Sequence, residues 1–350
     1  MESKAGNVCG IIPKTICRRK KKPIKRPKPQ TLHSITDEDE GTHEGIKTVD
    51  AVNGRHHCCE FSGDSDICLC IVTWNMNGQV NYEDVEKLVG RKRKFDLLVV
   101  GLQEVPRENI VQMLKKVLAD THVLLGKAIM QSLQLFVFGP QNSEQFVRDV
   151  KVDKHAVGGF GGLIRRKKGA VAIRITYKDI QLEFVSCHLA AHARNVEERN
   201  DQSRVISHSL FSKKWNPYAK PAQVTVWLGD LNYRLQGITT FPARDLIRDN
   251  LHEQLTSKDQ LLQQAERGQI FNGYYEGTLA FKPTYKYNIG SSNYDTSHKV
   301  RVPSWTDRIL FKVDDHDHIN ATLHCYDSID SIRSSDHRPV RAHLCLNFVK

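Results

Sequence analysis

The sequence predicts an α/β fold in which two packed β-sheets are flanked by helices. Strand and helix patterns alternate along the chain from about residue 66 onward. Hydrophobic residues make up 39% of the 350 residues and charged residues 26%, which is typical of a folded chain with a sizeable core. No repeat of fixed period is present, so one domain over residues 61–350 accounts for the number of strands.

Two sequence patterns distinguish the predicted strands from the predicted helices. Strands are predicted where aliphatic residues are continuous, and helices where apolar residues recur at helical spacing. Asn81 precedes the first helix as a candidate N-cap. In chain order, the predicted strands are 67–73, 95–102, 122–129, 134–138, 170–176, 182–188, 224–228, 306–312, 321–326 and 340–346. The predicted helices are 83–88, 107–118, 195–210, 243–250 and 258–266.

Residues 1–60 are predicted to be a disordered tail, because they have few large apolar side chains and contain blocks of like charge. Residues 1–30 carry ten Lys or Arg and one acid, whereas residues 31–60 carry seven acids and two bases. The whole chain has a net charge of +11, so the remaining residues are basic as well. This charge favours a polyanionic partner, and nucleic acid, acidic lipid and a small polyphosphate all qualify.

Signals for a membrane or for secretion are missing from the sequence. It has no stretch of about 18 apolar residues that would span a membrane, and its N-terminus lacks the apolar segment of a secretory signal. Five cysteines within hydrophobic runs are predicted to be reduced core thiols: Cys68, Cys70, Cys187, Cys325 and Cys345. We therefore expect a cytoplasmic protein, in which the basic run 18–28 is an anionic-membrane patch, a nuclear address or a solvated tail.

Polar residues stand at the ends of several predicted strands. They are Asn75, Glu104, His188, Asp230 and Asn232, and the pair Asp336 and His337 directly before the last strand. In open α/β sheets, ligands bind at the ends of the strands. A single Asn or Asp there is most often a turn residue or a helix cap. A set of this size in one chain instead indicates a functional site.

These side chains are suited to only a few kinds of chemistry. Asn75, Glu104 and Asp336 offer oxygen ligands and no thiolate, which suits a hard cation, Mg²⁺ above Zn²⁺. Mg²⁺ held by one or two carboxylates, with water and substrate oxygens completing its shell, is typical of phosphoryl transfer. The two histidines, Asp230 and Asn232 could then activate water and stabilise charge on phosphoryl oxygens. A histidine beside such carboxylates is expected to favour its imidazolium form.

A glycine-rich run, Gly158-Gly-Phe-Gly-Gly162, precedes Arg165-Arg-Lys-Lys168. It is neither a Walker A motif nor a well-placed dinucleotide fingerprint. We interpret it as a flexible loop that brings four cations toward an anion. A hairpin turn followed by a solvated charged run is the alternative.

Two longer motifs carry a family resemblance. Trp227-Leu-Gly-Asp-Leu-Asn-Tyr-Arg234 and Pro303-Ser-Trp-Thr-Asp-Arg-Ile-Leu310 resemble the two signature motifs of the inositol polyphosphate 5-phosphatases. Further matches occur in the family's order at 73–77, 101–105, 168–172, 187–192, 284–287, 294–297 and 335–339. The resemblance covers roughly residues 66–347, and the short layout with only a catalytic domain is most similar to plant members.

The resemblance implies a four-layer α/β sandwich with two packed central β-sheets, the deoxyribonuclease-I-like fold. This is the fold of the Mg²⁺-dependent endonuclease/exonuclease/phosphatase superfamily. By the same resemblance, Asn75 and Glu104 would hold Mg²⁺, with Asp336 close by. In-line attack of water on the 5-phosphate would give inorganic phosphate and a 5-hydroxyl, with no covalent enzyme intermediate.

The resemblance also implies roles for the other strand-end residues. Asp230 would position or deprotonate the attacking water, and Asn232 and His188 would bind the scissile phosphate. His337 would contact the same phosphate and would be oriented by Asp307. Whether Asp230 or His337 acts as the general base stays open.

The basic residues within the segments that resemble the family imply which substrate is bound. Lys168 resembles the residue near the 1-phosphate, and Tyr285, Lys286, Lys299 and Arg301 resemble the set that recognises the 4-phosphate. The expected substrates are phosphoinositide lipids at anionic membrane surfaces, chiefly phosphatidylinositol 4,5-bisphosphate, and also the 3,4,5-trisphosphate and soluble inositol polyphosphates. We expect a monomer that is peripheral at membranes and binds no nucleic acid.

The sequence departs from the family pattern at three positions outside the catalytic set. Lys167 stands where Asn is common, His298 where an acid is common, and Thr306 where Cys is frequent. Two other functions are compatible with part of this pattern. A nuclease of the same superfamily would use the same metal site, but no aromatic stacking platform is apparent. An inactive phosphoinositide-binding module is disfavoured because the catalytic set is intact.

Overall fold

The computed structural model describes residues 45–52, 66–90, 95–157, 168–212 and 221–349. The strands in these residues are β1 (Lys47–Val49), β2 (Ile67–Asn75), β3 (Leu97–Gln103), β4 (His122–Met130), β5 (Leu133–Pro140), β6 (Val147–Ala156), β7 (Gly169–Tyr177), β8 (Ile180–His188), β9 (Val224–Asp230), β10 (Tyr275–Gly277), β11 (Asp307–Val313), β12 (Ile319–Ser328) and β13 (Val340–Phe348). The α-helices are α1 (Tyr82–Val89), α2 (Ile110–Leu118), α3 (Val196–Ser209), α4 (Thr240–Arg248) and α5 (Gln260–Glu266), and 3₁₀ helices span Ser143–Phe146 and His252–Lys258.

The strands form two mixed sheets, as the sequence predicted. The seven-stranded sheet has the order β1-β10-β11-β9-β8-β7-β6, and the six-stranded sheet has the order β12-β13-β2-β3-β5-β4. Parallel pairs lie at the centre of each sheet, β8 with β9 and β2 with β3. Because parallel neighbours end at the same edge, these pairs bring their carboxyl ends to one end of the molecule.

The layers follow from where the apolar side chains pack. The main core joins the facing surfaces of the two sheets, with Leu69 and Val99 on one side and Phe184 and Val226 on the other. A second cluster packs α1 and α2 against the outer face of the six-stranded sheet. A third packs α3 and α5 against the outer face of the seven-stranded sheet. The order helix, sheet, sheet, helix is the four-layer sandwich that the resemblance implied.

The domain reaches further toward the N-terminus than the predicted boundary at residue 61. Strand β1, within the predicted tail, pairs in parallel with β10 at the edge of the seven-stranded sheet. Neither β1 nor β10 was predicted, because each has only three residues and little apolar character. Residues 1–44, including the basic run 18–28, lie outside the described residues.

Strand β6 was also not predicted. It forms an edge of the seven-stranded sheet, pairs only with β7, and is exposed along most of its length. Its side chains are mainly charged, which is how natural edge strands avoid pairing with other chains. A strand that buries so little apolar surface leaves no clear periodic signal in the sequence.

The cysteines differ in part from their prediction. Cys68 and Cys345 face each other across β2 and β13 and form a disulfide, and Cys325 is disulfide-bonded as well, so the prediction of reduced thiols was wrong for these three cysteines. Cys70 and Cys187 are buried thiols outside any disulfide, as predicted. None of the described helices has both the length and the apolar character needed to cross a bilayer.

Candidate active site

The polar residues at the strand ends meet in one cleft at the end of the sandwich where β2, β3, β8 and β9 finish. Asn75 ends β2, Glu104 follows β3, His188 ends β8 and Asp230 ends β9. Asp336 and His337, from the segment before β13, line the same cleft. The cleft encloses about 120 Å³, the volume of roughly four water molecules in the liquid. It therefore accommodates a phosphate group rather than a large apolar ligand.

The spacing of the two central strands at the cleft depends on Gly229. It has a φ of 138° and lies opposite Cys187, and a Cβ at this position would stand 2.1 Å from the Cys187 carbonyl oxygen. Only glycine allows this approach of two backbones. The next pair in the register is His188 with Asp230, so the close contact at Gly229 lets His188 Nε2 come within 3.2 Å of Asp230 Oδ2.

Asp230 is the centre of the site. Its Oδ2 accepts a hydrogen bond from Asn75 Nδ2 at 2.9 Å, and its Oδ1 accepts one from the Asn232 backbone N–H at 3.1 Å. His337 Nε2 lies 4.0 Å from Oδ2. Burial favours the neutral acid, but His188 and His337 outweigh it and hold the pKa of Asp230 well below its usual range. Asp230 is therefore an ionised acceptor at neutral pH.

His337 is oriented by Asp307, as the resemblance implied. Its Nδ1 donates to Asp307 Oδ2 at 2.9 Å, so Nε2 faces the cleft. The hydroxyls of Thr284 and Thr306 donate to the same carboxylate oxygen at 2.7 and 2.8 Å. Burial opposes the charged ring, but Asp307 and the other nearby carboxylates raise the pKa of His337 to about 10. The direction of this shift agrees with the imidazolium form expected from the sequence.

His188 behaves in the opposite way. It is almost fully buried and its Nε2 contacts the ammonium group of Lys168. Burial and this neighbouring cation lower the pKa of His188, although Asp230 and Glu104 act against them. The imidazolium form expected for a histidine beside the carboxylates is therefore not favoured at His188, whose burial and contact with Lys168 the sequence did not reveal.

The predicted metal ligands surround the cleft. Asn75 Oδ1 accepts the Asn77 backbone N–H at 3.0 Å, and Glu104 Oε1 lies 3.9 Å from His188 Nε2. Glu104 has a φ of 51°, a left-handed conformation that is uncommon outside glycine and occurs most often at functional sites. Amide and carboxylate oxygens are the donors that a hard cation prefers, so this set fits Mg²⁺.

A second group, Asp230, Asp307 and His337, has ligand atoms that all lie within 4.8 Å of one another. Hydrogen bonds account for Asp307 without a metal, because its Oδ2 accepts from two threonine hydroxyls and from His337. The predicted ligand set of Asn75, Glu104 and Asp336 stays a prediction.

The residues predicted to bind substrate divide into two groups. Lys168, Tyr285 and Lys286 are at the cleft: the Tyr285 ring packs on His337 with centroids 4.5 Å apart, and Lys286 Nζ donates to Asp336 Oδ2 at 3.0 Å. Lys299 and Arg301 lie outside the cleft, on a loop fixed by Asp295, whose carboxylate accepts the Arg301 N–H at 3.0 Å. The predicted roles of both groups stay predictions.

Arg234 lines the cleft, although the sequence indicated no role for it. Its guanidinium donates to Asn232 Oδ1 and lies 4.3 Å from the Tyr285 ring centroid. Its place two residues after Asn232 in a signature motif was the available signal. Nothing in a single sequence indicated that Thr284 and Thr306 would both bond to Asp307. The glycine run 158–162 and the cations before Lys168 lie outside the described residues.

Comparison with known proteins agrees with this geometry. Residues 72–343 match the profile described as endonuclease/exonuclease/phosphatase family 2. A relative in Arabidopsis thaliana, type IV inositol polyphosphate 5-phosphatase 11, is 59% identical over 308 residues, covering 88% of this chain and 90% of the relative. The mouse phosphatidylinositol 4,5-bisphosphate 5-phosphatase A is 31% identical over 318 residues, which cover 81% of this chain but 31% of the mouse protein.

Among solved structures, this fold is similar to the crystal structure of the inositol polyphosphate 5-phosphatase domain of SPsynaptojanin. That domain is in complex with inositol (1,4)-bisphosphate and a calcium ion. The match has a TM-score of 0.70 at 29% identity, and it covers 81% of this chain and 85% of the other.

Proposed function

Because this chain belongs to the inositol polyphosphate 5-phosphatases of the endonuclease/exonuclease/phosphatase family, we propose that it hydrolyses the 5-phosphate of phosphoinositides, chiefly phosphatidylinositol 4,5-bisphosphate, with Mg²⁺. The observation that carries this proposal is the buried, ionised Asp230 between His188 and His337, in a cleft bordered by basic residues. The name of the mouse relative supports the choice of lipid.

The cation would be held by Asn75, Glu104 and Asp336. A Mg²⁺ ion bound there would polarise the phosphoryl oxygens and offset their charge. Lys286, which contacts Asp336 Oδ2, would keep that carboxylate in place while the other oxygen faces the cleft.

Asp230 would orient the attacking water and take its proton late, once the bond to phosphorus is forming and the water has become acidic, because a carboxylate with so low a pKa is a weak base. It is ionised and fixed at both oxygens, so it can orient a water in line with the bond between phosphorus and the 5-oxygen. His337 is a poor candidate for the base, because its raised pKa keeps the ring protonated at neutral pH. As the water oxygen bonds to phosphorus, the bond to the 5-oxygen breaks. The 5-oxygen takes a proton from solvent and leaves as a 5-hydroxyl, and the proton held by Asp230 returns to solvent.

Three side chains would bind the scissile phosphate. The charged His337 would donate from Nε2 to a phosphoryl oxygen, which is worth more in a buried site than in water. Asn232 keeps one amide hydrogen for the phosphate while the other donates to the Leu189 carbonyl oxygen at 3.1 Å. His188 would be the third contact, through Nε2, which also lies 3.2 Å from Asp230 Oδ2.

Substrate choice would depend on charges outside the scissile phosphate. Lys168 would contact the 1-phosphate, and Tyr285, Lys286, Lys299 and Arg301 the 4-phosphate. Each charge-assisted bond contributes roughly 1.5–3 kcal/mol. We further propose that the enzyme is a cytoplasmic monomer, peripheral at membranes, with its basic N-terminal run adding affinity for anionic lipid.

Phosphate release from a panel of substrates tests the proposal. The panel contains phosphatidylinositol 4,5-bisphosphate, phosphatidylinositol 4-phosphate and inositol 1,4,5-trisphosphate, each with Mg²⁺ and after chelation. We expect release only from the two 5-phosphorylated compounds, only with the metal, and a loss of several orders of magnitude in Asp230→Ala. Asp179→Ala, an exposed acid in the turn between β7 and β8, is the matched control. Undiminished activity in Asp230→Ala, or release from the 4-phosphate, would refute the assignment.

A further inference from the structure

Three side chains that could bind a metal meet on the outer face of the six-stranded sheet, away from the cleft. Cys68 lies opposite Cys345 in the register of β2 and β13, and His343 precedes Cys345 by two residues on the same face. The ligand atoms of these three residues all lie within 4.8 Å of one another, and the side chains are buried. Cys68 and Asn75 stand at opposite ends of β2, about 23 Å apart, so this cluster is separate from the cleft.

The positions of a nitrogen and a sulfur in this cluster match those of two ligands on one zinc ion. His343 Nε2 lies 3.5 Å from Cys345 Sγ. A tetrahedral Zn²⁺ with a Zn–N bond of about 2.0 Å and a Zn–S bond of about 2.3 Å holds its two ligand atoms about 3.5 Å apart. Phe95 packs edge-on against the imidazole with ring centroids 4.9 Å apart, which fixes the ring in this orientation. One ion could therefore contact both atoms without movement of the ring.

The neighbouring strand offers a fourth ligand at an irregularity. The register of β12 against β13 shifts between Leu323 and Cys325, and His324 is the residue at the shift. Such β-bulges often redirect a side chain at a functional site. The ring of His324 is half-buried, and its centroid lies 5.4 Å from that of His343. Its exposed side gives an ion a path from solvent into the cluster.

We propose that, once the disulfide between Cys68 and Cys345 is reduced, the cluster binds one Zn²⁺ through these two thiolates, His343 and His324. A dithiol supplies the two electrons: it becomes a disulfide itself, and its two protons pass to the cysteine sulfurs. Binding of the ion then releases these two protons to solvent. Two thiolates and two neutral imidazoles balance the charge of the ion, so the complex places no net charge in a buried site.

Charge also decides between His324 and a third thiolate as the last ligand. Cys70 and Cys325 both lie opposite His343 in the register. A complex with three thiolates would have a net charge of about −1, which is costly to bury. Thiolate and imidazole ligands select zinc, whereas Mg²⁺ prefers oxygen. The inference therefore does not depend on the proposed function or on the metal of the cleft.

Cobalt reports this site, because thiolate-bound Co²⁺ has a charge-transfer absorption that oxygen-bound Co²⁺ lacks. The full-length chain is reduced with dithiothreitol, separated from it under argon and titrated with Co²⁺ in excess Mg²⁺, and Zn²⁺ then displaces the cobalt. We expect the reduced wild type to bind one thiolate-ligated, tetrahedral Co²⁺ and the oxidised wild type to bind none in this way.

Variants distinguish the proposed ligands from their neighbours. Cys345→Ser should abolish the thiolate absorption, and His324→Ala should weaken Zn²⁺ binding by about tenfold or more. The matched controls, Cys70→Ser and His155→Ala, should bind as wild type. Cys70 is a buried thiol of β2, and His155 is a half-buried histidine on β6, an edge strand like β12.

Three results would overturn the inference. They are a reduced wild type without thiolate absorption, absorption that survives in Cys345→Ser, and Zn²⁺ binding that depends on Cys70 and not on His324. If Cys345→Ser does not fold, the comparison of reduced with oxidised wild type and the half-buried His324→Ala still decide, because neither alters a fully buried side chain.

Discussion

The floor and the rim of the cleft are built by different physical means. The floor, Asp230, Asp307 and His337, is buried, and its charges are fixed by short hydrogen bonds to one another and to threonine hydroxyls. The rim, formed by Lys286, Lys299 and Arg301, is partly exposed: Lys286 pairs with Asp336 at the edge of the cleft, Arg301 is half-buried and Lys299 is exposed. A fixed floor suits the reaction, which is the same for every substrate. A solvated rim suits selection among substrates, because charged side chains can be added on an exposed loop with little loss of fold stability.

The largest effect is expected for the floor itself. His337→Ala should lower kcat by about 10²–10⁴ on every 5-phosphorylated substrate, because it removes the charged donor to the phosphoryl group. Phosphate release under saturating substrate measures this. His318→Ala is the matched control, since His318 is exposed and pairs with an acid at the other end of the domain. A loss confined to one substrate would place His337 on the rim.

A smaller effect is expected when only the charge behind His337 is removed. Asp307→Asn keeps the shape of the side chain but takes away the carboxylate that helps to raise the pKa of His337 to about 10. A group with a raised pKa stays charged below that value, so the variant ring should lose its proton at lower pH. We expect kcat to fall about 10²-fold and the alkaline limb of its pH profile to move toward neutral.

The control for this variant is Asp315→Asn, which removes the acid beside the exposed His318. Its pH profile should match wild type. An alkaline limb that stays in place in Asp307→Asn would show that His337 does not titrate in the catalytic cycle.

At the rim, the expected effect depends on the substrate. Arg301→Ala should lower kcat/KM for phosphatidylinositol 4,5-bisphosphate by roughly tenfold to a hundredfold, the value of one charge-assisted bond. Activity on phosphatidylinositol 5-phosphate, which has no 4-phosphate, should change little. Arg248→Ala, at the exposed end of α4, is the control. Equal losses on both lipids would contradict a role in 4-phosphate recognition.

The smallest effect should come from a single hydrogen bond in the floor. Thr306→Val removes one of two hydroxyls that donate to Asp307 Oδ2. The loss of one such bond costs about 1 kcal/mol, or about fivefold in kcat. Thr306→Ser, which keeps the hydroxyl, should remain near wild type. If both variants behave alike, the hydroxyl does not help to position the carboxylate.

Elements that are buried on both faces could be predicted from the sequence. Strand β2 was predicted over 67–73 and spans Ile67–Asn75, because a continuous aliphatic run leaves little ambiguity about burial. The Asn81 cap was confirmed by its hydrogen bond from the Asp84 N–H at 2.7 Å. The exposed β6 and the three-residue strands β1 and β10 could not be predicted, since their pairing depends on the finished sheet.

The residues of the candidate site divide in the same way, into those that could be predicted from the sequence and those that could not. Asn75, Glu104, His188 and Asp230 could be predicted because each follows a strand and must lie at a sheet end. Arg234 lies against Tyr285 through loop conformations that a single sequence does not reveal. The lowered pKa of His188 could not be predicted either, since it comes first from burial and then from Lys168, which directly precedes β7 and contacts the ring.

The missing side chain at Gly229 limits how this cleft could be altered. Any larger residue there would force β8 and β9 apart and separate the two side chains that follow them in register. The width of the floor is thus set by the backbone and cannot be adjusted by graded substitution at that position. Attempts to retarget such an enzyme, in the laboratory or by natural divergence, would have to change its loops and leave the strand junction untouched.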